Sequence, residues 1–169
     1  VDTTKHCYGH AFVLLAYAAA TKAGIPGTAG KVSEIWDLLE SRFWEPEREL
    51  YRDEIGRNWQ RVSPYRGQNA NMHMTEAMLA AYEATGETRY LDRAETLARR
   101  ICVDLAAGAQ DVVWEHYHQD WSIDWDYNKG DPKHLFRPYG YLPGHMTEWT
   151  KLLLILERYR PRDWILPKA

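Results

Sequence analysis

The sequence predicts an all-α fold, part of a toroid of helical hairpins with about five main helices and long loops between some of them. Three observations carry that expectation. His73-Met74-Thr75-Glu76 returns unchanged as His145-Met146-Thr147-Glu148, and each copy opens a helix-like apolar run, with a looser echo upstream at Gly9-His10-Ala11-Phe12. The recurrence is longer than common solenoid periods of ~20–50 residues and suits two helices plus a long connection. Alanine- or leucine-rich runs alternate with charged amphipathic ones, and a histidine stands near the start of each apolar run, as inner helices around a cavity would require.

Thr3 or Thr4 is expected to cap a first helix to about Ala23, its apolar stripe being Phe12, Leu15, Ala16, Ala19 and Ala20, with Gly24-Ile25-Pro26-Gly27 as the stop. A second helix is expected over Ala29 to Phe43, with Val32, Ile35, Trp36 and Leu39 at helical spacing and a charged outer face. Residues 44–68 break the pattern, and a short hairpin and an irregular loop are both open there. Asn69 is placed as the cap of a third helix over Asn71 to Thr85, ended by Gly86. A fourth, amphipathic helix follows from Thr88 to about Ala107. Residues 109–143 form a long loop rich in Trp, Tyr and Asp, with Val112-Val113-Trp114 as a short strand. Pro143-Gly144 breaks the chain before a fifth helix, His145 to about Tyr159, ended by Pro161.

The chain has 169 residues, 45% hydrophobic, which is enough for one domain with its own core. A net charge of −3 with interspersed signs gives no basic footprint for nucleic acid. No apolar run approaches the ~20 residues of a membrane span, so neither nucleic acid nor membrane is an expected partner. Cys7 and Cys102 stand alone, without metal-type spacing, which predicts free thiols and a cytoplasmic protein. The start Val1-Asp2-Thr3-Thr4 has no initiating methionine and no signal peptide, so the chain is expected to be the interior of something longer. Eight Trp and eleven Tyr, many beside His, Asp or Glu, suit sugar recognition and equally suit cores and interfaces.

Positions three apart share a helix face, so His73 with Glu76, and His145 with Glu148, each aim an imidazole and a carboxylate one way. A capping arrangement of Asn69 and Glu76 explains the first set alone, but the verbatim second copy after Pro143-Gly144 does not need the same four residues for that purpose. Arg137-Pro138-Tyr139-Gly140-Tyr141-Leu142-Pro143-Gly144 is a rigid aromatic approach to His145, and two roles stay open for Arg137: holding substrate hydroxyls, or a surface ion pair. Trp114-Glu115-His116-Tyr117-His118 alternates as a half-buried strand would, with Glu115 and Tyr117 toward a cavity. A di-metal site would need Glu-x-x-His order and two further glutamates, neither evident, so no metal or other cofactor is expected. Zinc-hydrolase, P-loop, serine-hydrolase and dinucleotide motifs are absent. General acid–base chemistry by histidine remains.

Lys5-His6-Cys7-Tyr8-Gly9-His10-Ala11-Phe12, Asn69-Ala70-Asn71-Met72-His73-Met74-Thr75-Glu76-Ala77 and Pro143-Gly144-His145-Met146-Thr147-Glu148-Trp149 resemble the N-acylglucosamine 2-epimerase superfamily. The stretch from Arg137 to Trp149 is most similar to its aldose–ketose isomerases, the mannose isomerase branch. The resemblance implies a partial (α/α)6 barrel, residues 1–169 being a single central segment of it. It also implies a small sugar as substrate, worked on by histidines without a redox cofactor. His145 matches the catalytic base and Glu148 the carboxylate that tunes it. Asn69 and His73 match a pair lining the pocket, His73 with a part in catalysis, while Arg137, Trp149 and Glu115 are placed against the substrate. An upstream arginine and a late second histidine of the family have no counterpart here, which implies a fragment that is inactive alone and that associates with further parts of the same protein or with a second copy. The resulting expectation is interconversion of D-mannose and D-fructose through a cis-enediol, with 2-epimerisation of N-acylglucosamine or a related sugar and non-catalytic sugar binding as rivals.

Overall fold

The first departure from these expectations lies where the chain enters its first helix. In the computed structural model, which describes residues 2–169, β1 (Lys5–His6) pairs antiparallel with β4 (Glu54–Ile55), and the Cys7 N–H donates to the Asp53 carbonyl at 2.8 Å. Helix α1 therefore runs Cys7–Lys22, and Thr3 and Thr4 lie outside it. Its buried stripe is Cys7, Ala11, Leu14 and Ala18, while Phe12, Ala16 and Ala19 of the expected stripe are exposed. A helix apolar on nearly every side has no periodicity from which the buried face can be chosen.

Helix α2 (Thr28–Arg42) lies on α1 through Val32 and Leu39. The irregular stretch after it contains a tight hairpin, β2 (Trp44–Glu45) with β3 (Leu50–Tyr51), then β4, and then β5 (Arg66–Gly67), which pairs with β6 (His116–Tyr117). Helix α3 (Gln68–Thr85) follows β5 directly and packs on α1, α4 and α5. Its N-cap is Gly67 and not Asn69. Tertiary partners take the role of a capping side chain: Gly67 N–H donates to Asp53 Oδ2 at 2.8 Å, and Gln68 N–H to the Glu115 carbonyl at 3.2 Å. Gly86, at φ +72°, stops the helix as expected, its N–H donating to the Tyr82 carbonyl.

Helix α4 (Thr88–Arg99) changes into a π-helical turn over Arg100–Leu105 and a 3-10 turn over Ala106–Ala109. Val112–Trp114 is not a strand, and residues 113–117 are buried on both faces rather than alternately. Helix α5 (Pro143–Tyr159) begins on the very residues expected to break the chain, because proline lacks only an N–H that the first helical position leaves unpaired anyway. It buries Trp149, Leu152, Leu153 and Leu156, and α6 (Ile165–Lys168) is a final turn beside it. The result is an arc of inner helices α1, α3 and α5 with α2 and α4 outside, the all-α arrangement expected of a partial (α/α)6 toroid. The N-termini of α3 and α5, together with β5 and β6, meet at one end.

Candidate active site

At that end Glu115 is buried at 3% exposure, one residue before β6. Its carboxylate accepts both from Gln68 Nε2, at 3.0 and 3.1 Å, and from His145 Nδ1, at 3.0 Å to each oxygen. Gln68, fully buried, accepts in turn from Trp149 Nε1 at 2.7 Å. Pairing β5 with β6 sets Gln68 and Glu115 side by side, and α5 brings His145 and Trp149 down onto them one turn apart. Burial pulls the His145 pKa down, but the hydrogen bond and charge of Glu115, with a smaller contribution from Glu148, outweigh it and the net shift is upward. By itself the start of α5 would favour the neutral ring. A carboxylate in contact outweighs the roughly half charge of a helix end.

The first copy of the motif is built differently. His73 Nδ1 lies 3.4 Å from Glu76 and 3.8 Å from Glu148, so the second copy's carboxylate points at the first copy's histidine. Lys151 Nζ stands 2.8 Å from Glu76 and 3.5 Å from Glu148. Tyr8 and Phe12 close the other side of the His73 ring, with centroids at 5.1 and 4.9 Å. His73, Glu76 and Glu148 are close enough to hold a metal ion, all three donor atoms falling within 4.8 Å. The positive charge these carboxylates face in the structure is the Lys151 ammonium. Burial raises the Glu76 pKa, but hydrogen bonds from Lys151 and His73 outweigh it and leave it lowered.

Several expected site residues therefore have other surroundings than their assigned ones. The carboxylate in contact with His145 is Glu115, itself buried, while Glu148 adds only a smaller charge effect on that ring. Trp149 is 2% exposed with its N–H bonded to Gln68, so it supports the site from behind and offers no open ring. Arg137 forms an ion pair with Glu54, donates to Tyr127 Oη at 3.2 Å and lies 3.8 Å over the Tyr65 ring. Tyr65 connects it to the site: its hydroxyl donates to His116 Nδ1 at 2.9 Å while His116 Nε2 donates to the Pro138 carbonyl at 2.7 Å. Burial holds the His116 pKa down, in keeping with a neutral ring that uses both nitrogens. Asn69 is half-buried, and its Oδ1 is buried without a hydrogen-bond partner. Gln68 escaped the sequence reading altogether. Nothing in the repeat marks it, and only the strand pairing of β5 with β6 brings it to Glu115.

The family model described as N-acylglucosamine 2-epimerase (GlcNAc 2-epimerase) matches residues 1–169. Among curated proteins, the chain is 56% identical to a D-mannose isomerase of Marinomonas mediterranea, over 100% of the chain and 43% of that protein. It is 42% identical to a D-mannose isomerase of Thermobifida fusca, over 99% of the chain and 42% of that protein. A crystal structure of D-mannose isomerase superposes with a TM-score of 0.97 at 56% identity, covering 99% of the chain and 43% of the other. A cellobiose 2-epimerase structure from Spirochaeta thermophila reaches 0.81 at 22% identity, over 99% of the chain and 42% of the other, a likeness of fold alone. The chain spans less than half the length of the relatives it matches.

Proposed function

This chain belongs to the N-acylglucosamine 2-epimerase family, and we propose that it forms the central segment of an (α/α)6-barrel isomerase interconverting D-mannose and D-fructose, with His145 as the base. The observation that carries this is the Glu115–His145 contact at 3.0 Å, which leaves Nε2 as the free nitrogen of a half-buried ring at the mouth of the site. Relatives at 56% and 42% identity that are named D-mannose isomerase support the choice of sugar.

The hydrogen on C2 of an open-chain aldose is weakly acidic because its carbanion is conjugated with the C1 carbonyl. His145 Nε2 takes that proton, the C2 electron pair forms the C1=C2 bond, and the carbonyl pair moves onto O1. The O2 proton passes to O1. His145 then returns its proton to C1 as O2 re-forms a carbonyl at C2, and aldose has become ketose with no net gain or loss. Glu115 favours the imidazolium while the proton is held. In this scheme His73, among Glu76, Glu148 and Lys151, holds hydroxyls and the developing enediol, with Asn69 as its neighbour in that role. No metal or redox cofactor enters this scheme.

Exposed Tyr8, Phe12 and Val13 on α1 and Leu154 on α5 support the expectation that both edge helices are covered in the intact protein, by its own further segments or by a second copy. Buried free thiols at Cys7 and Cys102 support a cytoplasmic location. No helix among the described residues is long and apolar enough to cross a membrane.

The test is solvent exchange in the intact protein. With D-mannose in D₂O, deuterium is expected at C1 and C2. His145→Asn is expected to lower that exchange by roughly 10²–10⁴-fold while mannose affinity by calorimetry changes only a few-fold. Exchange within a few-fold of the unaltered protein removes His145 from the role of base.

A further inference from the structure

The buried chain behind His145 is longer than a base and its carboxylate require. Trp149 Nε1 can only donate, so the Gln68 oxygen that meets it at 2.7 Å is the acceptor side of the amide, and Gln68 Nε2 is its donor side. That donor side faces Glu115 at 3.0–3.1 Å and also lies 2.9 Å from His145 Nδ1. An amide nitrogen has no lone pair to offer, so it cannot take a proton from Nδ1. If Nδ1 is a donor, its acceptor is Glu115. A bond between a charged carboxylate and an N–H is roughly twice as strong as one between neutral groups, so the donor arrangement prevails over one in which Nδ1 accepts from Gln68. The amide turned over would place Oε1 against both the Glu115 carboxylate and Nδ1–H. It would repel the first and compete for the second. Trp149 prevents that turn.

From these contacts we propose that Gln68, oriented by Trp149, is a positioning residue that fixes the tautomer of His145 through Glu115, keeping the proton on Nδ1 and the lone pair on Nε2. The inference rests on His145 being the base of the proposed isomerisation, and it adds which buried side chains keep it competent. Gln68 also anchors the carboxylate from the main chain, since its own N–H holds the Glu115 carbonyl at 3.2 Å. One residue thus sets both the backbone and the side-chain position of Glu115. The charged groups facing His145 are Glu115, from the segment entering β6, and Glu148, one turn along α5; Gln68 itself, on α3, is uncharged.

The experiment uses Gln68→Met, which keeps the length and removes both polar atoms, and Trp149→Phe, which removes only the donor and some volume. The His145 ring nitrogens are followed by ¹⁵N NMR in the intact protein, beside the pH profile of D-mannose isomerisation. In the unaltered protein the neutral ring is expected as the Nδ1–H tautomer. In Gln68→Met the Nε2–H tautomer is expected to appear, with kcat lower by about tenfold and KM changed less than about twofold. The acid limb of kcat/KM is expected to move to lower pH, because a Glu115 carboxylate no longer held against Nδ1 favours the imidazolium less. Trp149→Phe is expected to move each readout the same way by less. An Nδ1–H tautomer and an acid limb unchanged in both variants would overturn the proposal, even if both variants melt earlier. The NMR reading needs no substrate, so a tautomer change in a protein that does not isomerise mannose would sustain this inference and reject the proposed reaction.

Discussion

The two identical His-Met-Thr-Glu segments sit on neighbouring helices, and their histidines live in opposite kinds of surroundings. His145 meets one buried carboxylate, Glu115, supplied by a distant segment and held there by a neutral amide. His73 sits between two partly exposed carboxylates, one from each copy, with a lysine completing the group and two aromatic rings on its other side. The first setting pins one proton on one nitrogen. The second is a mixed-charge cluster of an imidazole, two carboxylates and an ammonium. Identical local sequence fixed which face of the helix each side chain occupies, and the tertiary neighbours decided what that side chain does.

The sharpest way to break this contrast is to remove one carboxylate from each setting. Glu115→Gln keeps the shape and loses the charge that favours the imidazolium, so kcat in the intact protein is expected to fall by roughly 10²–10⁴-fold. Glu148→Gln is expected to cost only about tenfold or less, since its nearest cations and rings belong to the His73 cluster. Steady-state kinetics on D-mannose rank the two. The reverse order would return to Glu148 the role that the motif alone assigns to it.

A second difference lies in how the two helices start. Helix α5 begins on Pro143, with no titrating partner, whereas the Gly67 N–H at the start of α3 depends on Asp53. Burial, only partly offset by that N–H and by Arg137 and Arg66, raises the Asp53 pKa to about 8. An unfolded aspartate titrates near ~3.9. Between those values the folded chain keeps a proton that the unfolded chain has lost, so unfolding releases it and stability falls as pH rises. This contribution is whole below about pH 4 and is lost by about pH 8. Asp53→Asn keeps an acceptor for Gly67 and removes the titration. Its melting temperature is expected to exceed that of the unaltered protein at pH 8 and to lose the advantage toward pH 5, read by calorimetry across that range. Parallel pH profiles for the two proteins would mean that Asp53 stays ionised in its buried place.

Gly67 itself tests the same junction by volume alone. A Cβ there would stand 2.5 Å from Tyr65 Oη, the group that bonds His116. Gly67→Ala is expected to cost about 1–3 kcal/mol in denaturant unfolding, whereas Gly144→Ala, with nothing within 4 Å of the added carbon, is expected to be close to neutral. Equal costs at the two glycines would mean that Tyr65 yields freely.

Helix spacing, the Gly86 stop and the inner-outer alternation of helices were legible because each depends on residues within a few turns of one another. That His73 and His145 stand near the starts of neighbouring helices was legible through the repeated motif. The Glu115–His145 partnership was not. Glu115 reads locally as one position of an alternating strand, and its burial depends on β5 and β6 pairing across some 50 residues, Arg66 against Tyr117. Gln68 and Trp149 were opaque for the same reason: a buried hydrogen bond between them joins two helices far apart in the chain. The buried face of α1 was not legible either, because apolar residues surround it.

The smallest expected effect concerns Lys151. Its ammonium lies against Glu76 and Glu148, the two carboxylates that with His73 could hold a metal ion. With it present, a divalent ion would have to displace a cation already hydrogen-bonded to Glu76 and paired with Glu148. Prolonged chelation of the intact protein is therefore expected to leave D-mannose isomerisation unchanged, and calorimetry with manganese or zinc to show no saturable heat. Lys151→Met removes that cation while keeping the apolar stem. Glu76 then loses the strongest of the influences that lower its pKa, so its titration, followed by ¹³C NMR of the carboxyl, is expected to move upward. The two carboxylates and His73 become a free donor set, and weak metal binding is expected to appear. Lys151 stands at the edge of the proposed enediol cluster while Glu115 keeps its contact with His145, so kcat in the variant is expected to fall only a few-fold. Activity lost on chelation of the unaltered protein and restored by manganese would place a metal, and not Lys151, between the two copies of the motif.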